Sequence, residues 1–167
     1  DQQNREWEYA SQWRQVFWSG IKDLNVKIAS FRRDELVFKY GEETTLWRYN
    51  GLTKRLVFNM YQLTPDNVQV IVKKLNKYKP VIIEGFPHSL YILSKYSLKE
   101  GLEITFKPRL IQTSSETLLS YMRETIESFL ESKVLDWYGQ SEYLISIGQC
   151  EQGSYHQAME TGIMTVI

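Results

Sequence analysis

The sequence predicts an α/β fold: a parallel β-sheet with flanking helices plus a small antiparallel patch. Three observations lead there. Short apolar runs, Val81-Ile82-Ile83, Arg109-Leu110-Ile111 and Lys133-Val134-Leu135-Asp136-Trp137-Tyr138, alternate with helical stripes between residues 65 and 138. The segments joining them are short, the pattern of parallel strands connected by covering helices. Ahead of them, residues 26–59 are rich in β-branched and aromatic residues and are broken by Gly41 and the Asn50-Gly51 pair.

Taken in order, residues 5–21 read as a helix with Trp7, Ala10, Trp13, Phe17 and Ile21 on one stripe, expected to face the core. Val26-Lys27-Ile28-Ala29, Leu36-Val37-Phe38, Thr45 to Tyr49 and Leu56-Val57-Phe58 read as short strands, with Asn50-Gly51 as a hairpin turn. Thr64-Pro65 opens a helix, Thr64 as N-cap and Pro65 in the first helical position, with Val68, Ile71, Val72 and Leu75 on its inner face. A second helix carries Leu90, Leu93 and Leu98 and is stopped by Gly101. A third carries Leu118, Leu119, Met122, Ile126, Phe129 and Leu130, and the stretch 162–167 reads as a last strand. The whole is expected to be a single α/β domain over 1–167: a Trp-rich helix at 1–25, an antiparallel patch at 26–60 and a β-α repeating region at 61–167.

The composition narrows the function. The chain is 43% hydrophobic and 24% charged, enough apolar residues for a core. Lys plus Arg and Asp plus Glu each number 20, so there is no basic field to attract nucleic acid or an anionic membrane. No apolar run approaches the ~20 residues that span a bilayer. The lone Cys150 permits no internal disulfide, and a cytoplasmic location is expected. Cys150 and His156 are too few for a zinc site, and no GxGxxG or Walker-type loop is present.

Ligands of open α/β sheets bind beyond the carboxyl ends of the strands. Three loops leave such ends: Glu84-Gly85-Phe86-Pro87-His88-Ser89, Gln112 to Thr117, and Tyr138 to Glu142. Each has a structural explanation as well as a functional one. Gly85 and Pro87 are ordinary turn chemistry, and His88 fits a solvent-facing first helical turn. Thr113 and Glu116 have capping-box spacing, at a helix N-terminus that would also favour an anion. Gly139 supplies a tight turn. Tyr138, Ser141 and Glu142 together suit a nucleotide: the ring stacks on a base, the hydroxyl meets a phosphate, and the carboxylate holds magnesium, which takes only one or two protein carboxylates.

Together, Gly85-Phe86-Pro87-His88-Ser89-Leu90, Thr113-Ser114-Ser115-Glu116-Thr117-Leu118 and Asp136-Trp137-Tyr138-Gly139-Gln140-Ser141-Glu142 resemble adenylate-forming enzymes in order and spacing. The resemblance is to the phenylacetate–CoA ligase branch, including its capsular polysaccharide biosynthesis proteins. It extends thinly over nearly the whole chain and is most specific in the last stretch, which matches the family's Tyr-Gly-x-Thr/Ser-Glu motif. Cys150-Glu151 and Tyr155-His156 also look like that branch.

The resemblance implies part of the large N-terminal domain of such an enzyme, using ATP and magnesium, with coenzyme A as acceptor. It implies that Tyr138 stacks on adenine with Asp136 near the amino group, while Gly139 follows in the motif. Ser141 would approach the α-phosphate, and Glu142 would be the metal ligand. Ser114, Ser115 and Glu116 would line the nucleotide and acyl pocket. Phe86, Pro87 and His88 would flank the acyl group, His88 standing where a small residue is expected. The family's phosphate loop, ribose-binding Asp, Arg and catalytic Lys have no counterpart here, so the chain is expected to be a central fragment without turnover of its own. The expected partners are a small carboxylic acid and ATP, with a homodimer common in the family. Two other readings stand beside this one: acyl transfer of the acyl-protein synthetase type, and a non-catalytic nucleotide- or protein-binding α/β module.

Overall fold

A computed structural model describes residues 2–32, 45–160 and 162. The run Leu36-Val37-Phe38, Gly41 and the stretch 163–167 lie outside the described residues. One eight-stranded sheet organises the rest. Its strands are β1 (Ile28–Phe31), β2 (Trp47–Asn50), β3 (Arg55–Phe58), β4 (Ile82–Gly85), β5 (Leu110–Ser114), β6 (Val134–Gly139), β7 (Ser146–Gln149) and β8 (Tyr155–Gln157), in the spatial order β2-β3-β1-β4-β5-β6-β7-β8. The five central strands β3, β1, β4, β5 and β6 run parallel. Among the described residues antiparallel pairing lies at the two edges, β2 on β3 and β6-β7-β8.

The helices are α1 (Gln2–Trp18), α2 (Pro65–Tyr78), α3 (Pro87–Lys99) and α4 (Ser120–Leu130). The stripe Val68, Ile71, Val72 and Leu75 faces the sheet on α2, as Leu90 and Leu93 do on α3, and Met122, Ile126, Phe129 and Leu130 on α4. These side chains cover one sheet face, closing on Ala29, Phe31, Leu56, Phe58, Ile83 and Ile111. There Phe31 and Phe58 stack with centroids 4.5 Å apart. Such a pair adds about 1 kcal/mol beyond its buried area. Leu98 is exposed instead; the buried position of that last turn is Ser97.

Three local expectations change. Among the described residues of 26–60 the antiparallel patch is the β2–β3 hairpin, while β1 pairs parallel with both β3 and β4 and belongs to the main sheet. Its turn is held by Asn50, whose Oδ1 accepts from the amides of Leu52 and Thr53 at 3.0 and 3.2 Å. Thr64 is the N-cap of α2 without a side-chain cap bond; its carbonyl takes the amides of Asn67 and Val68 instead, each at 3.1 Å.

The third change concerns α1, which covers the opposite sheet face. Trp7, Ala10 and Phe17 point to solvent, while Glu8, Gln15, Val16 and Ser19 are buried. The reason lies in the strands beneath. On one side β6 pairs parallel with β5 as far as Trp137. On the other its antiparallel ladder with β7 ends at Trp137 and Gly148, so the Asp136 and Gln149 carbonyls lie just past the end of that ladder and need donors. The Gln15 amide supplies them, donating to the Asp136 and Gln149 carbonyls at 2.9 Å each while accepting from Gln112. Val16 and Ile21, on or just beyond this helix, pack on Ile28, Ile82, Leu110 and Leu135.

Candidate functional site

Register places Gly85, Thr113 and Asp136 side by side across β4, β5 and β6, at the carboxyl ends of three parallel strands. The three loops of interest leave from this row. Gly85 ends β4 because a Cβ there would come within 2.9 Å of both Leu90 and Phe31; its place is set by packing, not by the turn. Thr113 and Ser114 remain in the strand, both buried. The chain then reverses at Ser115, whose φ of 70° is in the left-handed region that few non-glycine residues occupy.

Beyond that reversal lies an open cleft of about 450 Å3, lined by Ser115, Glu116, Thr117 and Leu118 from one side and Asp136, Trp137, Tyr138, Gly139 and Tyr155 from the other. Tyr138 is 47% exposed, so its ring is free to take a flat partner. Gly139 is the last residue of β6, paired with Ser146, and not a turn. A Cβ there would lie 2.2 Å from the Trp137 ring and 2.8 Å from the Glu8 carboxylate.

Asp136 is held on every side. Its Oδ1 accepts from the Thr113 hydroxyl at 2.7 Å and its Oδ2 from the Tyr155 hydroxyl at 3.1 Å. Its amide donates to Gln149 Oε1 at 3.3 Å, and Arg123 of α4 donates to the same oxygen at 2.8 Å. Partial burial pushes the Tyr155 phenol up, and the Asp136 charge adds to that; Arg123 acts the other way.

Glu116 does not cap its own helix. α4 begins at Ser120 with Leu119 as its N-cap, and Glu116 Oε2 accepts from the His88 amide at 3.2 Å, at the start of α3. The capping-box spacing therefore serves two other purposes: Thr113 orients Asp136, and Glu116 ties the β5–α4 loop to the β4–α3 loop. Phe86 is half-buried, Pro87 buried and His88 exposed. None of these three, nor Ser114, Ser141 or Glu142, lines the cleft; Ser141 and Glu142 are exposed in the turn after β6.

The sequence reading noted Tyr155 only as part of the resemblance and gave it no role in the site, because β7 and β8 are short and polar. A signal was available in the Gly-bearing turn Glu151-Gln152-Gly153-Ser154, where Gly153 has φ 89° and Cys150 pairs with Ser154. In the same turn the Cys150 thiol donates to Gln152 Oε1 at 3.2 Å, and His156 beside it holds the thiol below its ordinary range.

The cleft lining carries two carboxylates, Asp136 and Glu116, and neither Lys nor Arg. It suits the uncharged base and ribose of a nucleotide better than its phosphates, which would require cations from elsewhere. No group of three or more His, Cys, Asp or Glu is placed to hold a metal among the described residues. A single carboxylate at Glu142 still fits magnesium, which fills its shell with water and phosphate oxygens. A larger cavity, about 620 Å3, opens at the opposite sheet edge beside Lys107, Arg109, Glu127 and Lys133. Several of its polar groups serve the backbone: Arg109 donates to the Ser19 carbonyl at 2.6 Å, and Glu127 accepts from the Val134 amide at 2.8 Å. It also faces the amino ends of β5 and β6, the wrong end for ligands of such sheets.

Comparison with known proteins adds the following. No family model matches the chain. Protein CapK of Staphylococcus aureus is 28% identical over 149 residues, covering 87% of this chain and 31% of that protein. Among solved structures, 2-hydroxyisobutyryl-CoA ligase, in an open conformation with 2-HIB-AMP and CoA, superposes with a TM-score of 0.54 at 17% identity, over 89% of this chain and 35% of the ligase. A benzoate CoA ligase from Burkholderia xenovorans LB400 gives 0.50 at 12% identity, over 86% and 29%. The chain therefore has the α/β fold found within these CoA ligases, and it spans about a third of the length of the proteins it matches.

Proposed function

We propose that the chain is the central part of an ATP-dependent, carboxylate-activating ligase of the phenylacetate–CoA ligase branch, acting in the cytoplasm in capsular polysaccharide biosynthesis. One observation carries this reading: Tyr138 and Asp136 converge with the Ser115–Leu118 loop on one cleft at the carboxyl edge of the parallel strands. The fold shared with CoA ligases and the similarity to CapK support it.

In this reading the Tyr138 ring stacks on adenine, and Asp136 accepts from its amino group. Ser115 and Glu116 border the nucleotide, and buried Ser114 supports the reversal from within β5. Ser141 meets the α-phosphate from the exposed turn, and Glu142 offers a carboxylate to magnesium. The metal's contribution is to offset phosphate charge, which the acidic cleft cannot do alone. Phe86, Pro87 and His88 flank the acyl group. A carboxylate oxygen of the acid attacks the α-phosphorus, pyrophosphate leaves, and the acyl-adenylate passes its acyl group to the thiol of coenzyme A with release of AMP. The chain's own part is positioning, so the reacting oxygen and phosphorus meet in line.

Acid-dependent ATP–pyrophosphate exchange by the intact polypeptide containing this chain tests the reading, with aryl, aliphatic and sugar acids compared. Exchange with at least one acid is expected. Tyr138→Ala should raise the KM for ATP roughly tenfold, since base–aromatic stacking is worth about 1–3 kcal/mol. ATP binding without exchange for any acid would leave a non-catalytic nucleotide module, and absence of both would remove the nucleotide site altogether.

A further inference from the structure

Resting on the nucleotide reading of the cleft, we propose that Tyr155 is a positioning residue. With Thr113 it clamps the Asp136 carboxylate in one plane, and so makes the cleft prefer a base edge that donates a hydrogen bond over one that accepts.

The clamp has two jaws from different elements. Thr113, fully buried on β5, donates to Oδ1, and Tyr155, half-exposed on β8, donates to Oδ2. The torsion that turns a carboxylate is broad and soft, so a single partner would leave it free to rotate. Two donors on opposite oxygens fix it, and they leave each oxygen a further lone pair. The Asp136 backbone is fixed independently, its amide by Gln149 and its carbonyl by Gln15. Only the side chain therefore depends on the clamp.

Tyr155 is a donor at neutral pH as any phenol is, since its ordinary pKa is about 10; partial burial and the Asp136 charge move it further up. It is also placed to do so by tertiary structure alone. Its strand adds to the sheet through β7, with Gln149 opposite Tyr155, so the antiparallel edge returns the ring to the cleft wall. An oriented, acceptor-only carboxylate attracts an exocyclic amino group and repels a carbonyl oxygen at the same position.

The experiment compares binding of ATP and inosine triphosphate, which carries a carbonyl in place of the amino group, to the intact polypeptide by calorimetry. The wild type should prefer ATP by about tenfold, the scale of one hydrogen bond to a charged group, 1.4 kcal/mol. In Tyr155→Phe, which removes only the hydroxyl, that ratio should fall several-fold while the thermal midpoint holds. Thr113→Val should lower the ratio in the same direction. A Tyr155→Phe protein that binds ATP with the wild-type ratio overturns the positioning role and leaves the nucleotide cleft standing. A wild type that binds neither nucleotide overturns both.

Discussion

A Cβ on Gly139 would sit 2.2 Å from the edge of the Trp137 ring, a side chain that is itself 7% exposed and so has little room to retreat. Gly139→Ala should therefore cost about 1–3 kcal/mol, as overpacking does. Urea unfolding measures it, and an unchanged midpoint would mean that the ring gives way freely. Glu8, whose carboxylate the same Cβ would meet, is buried, and burial pushes its carboxyl above the ordinary value of 4.5. The fold thus favours its neutral form. The stability this group contributes is fully present below pH 4.5 and is lost as pH rises through the raised folded value. Glu8→Gln, neutral throughout, should be more stable than wild type at pH 7, with the advantage vanishing below pH 4.5. Thermal melts across pH decide it, and an advantage that persists unchanged in acid would rule out titration as its source. Gly139 was legible as a motif glycine, but its reason was not. The sequence pointed to a turn, whereas the contact that forbids a side chain comes from Trp137, two residues back on the same strand, with Glu8 of α1 alongside.

At the level of elements, the covering helices α2, α3 and α4 were legible because their apolar stripes repeat at helical spacing and meet a sheet that is apolar on that face. α1 was legible as a helix but not in its orientation. Apolar periodicity assumes a helix seeks an apolar surface, and α1 covers strands whose carbonyls at 136 and 149 require the Gln15 amide. The Thr113–Glu116 spacing misled for a related reason. β5 continues through Ser114 because Thr113 has partners on both sides, Gly85 and Asp136, so the helix starts later. Glu116 is thereby released to bind the His88 amide in the first turn of α3, linking two loops of the candidate site. Glu116→Ala should cost about 1 kcal/mol, the size of a lost helix cap, and should speed exchange of the His88 amide proton. An amide that exchanges at the wild-type rate would show that the link contributes nothing.

Across the whole molecule, one sheet carries both a parallel centre and two antiparallel edges, and the candidate site lies where the second edge begins. Its lining is acidic and holds no cation, and the chain matches about a third of each ligase it resembles. If the chain is the ligase segment proposed above, pyrophosphate exchange is expected from a polypeptide that also carries the cationic phosphate-binding elements and not from these 167 residues alone; exchange by the isolated chain would show that the phosphates are neutralised from within it. The sequence by itself determined the α/β class, the inner faces of three helices and the three loops at the strand ends. All of these follow from local periodicity and turn chemistry, which act between residues close in the chain. Only the tertiary structure decided that β1 joins the main sheet, that α1 turns a polar face inward, and that Thr113, Asp136 and Tyr155 meet. Those outcomes depend on hydrogen-bonding groups whose partners are distant in the chain, as far as 134 residues in the case of Gln15 and Gln149.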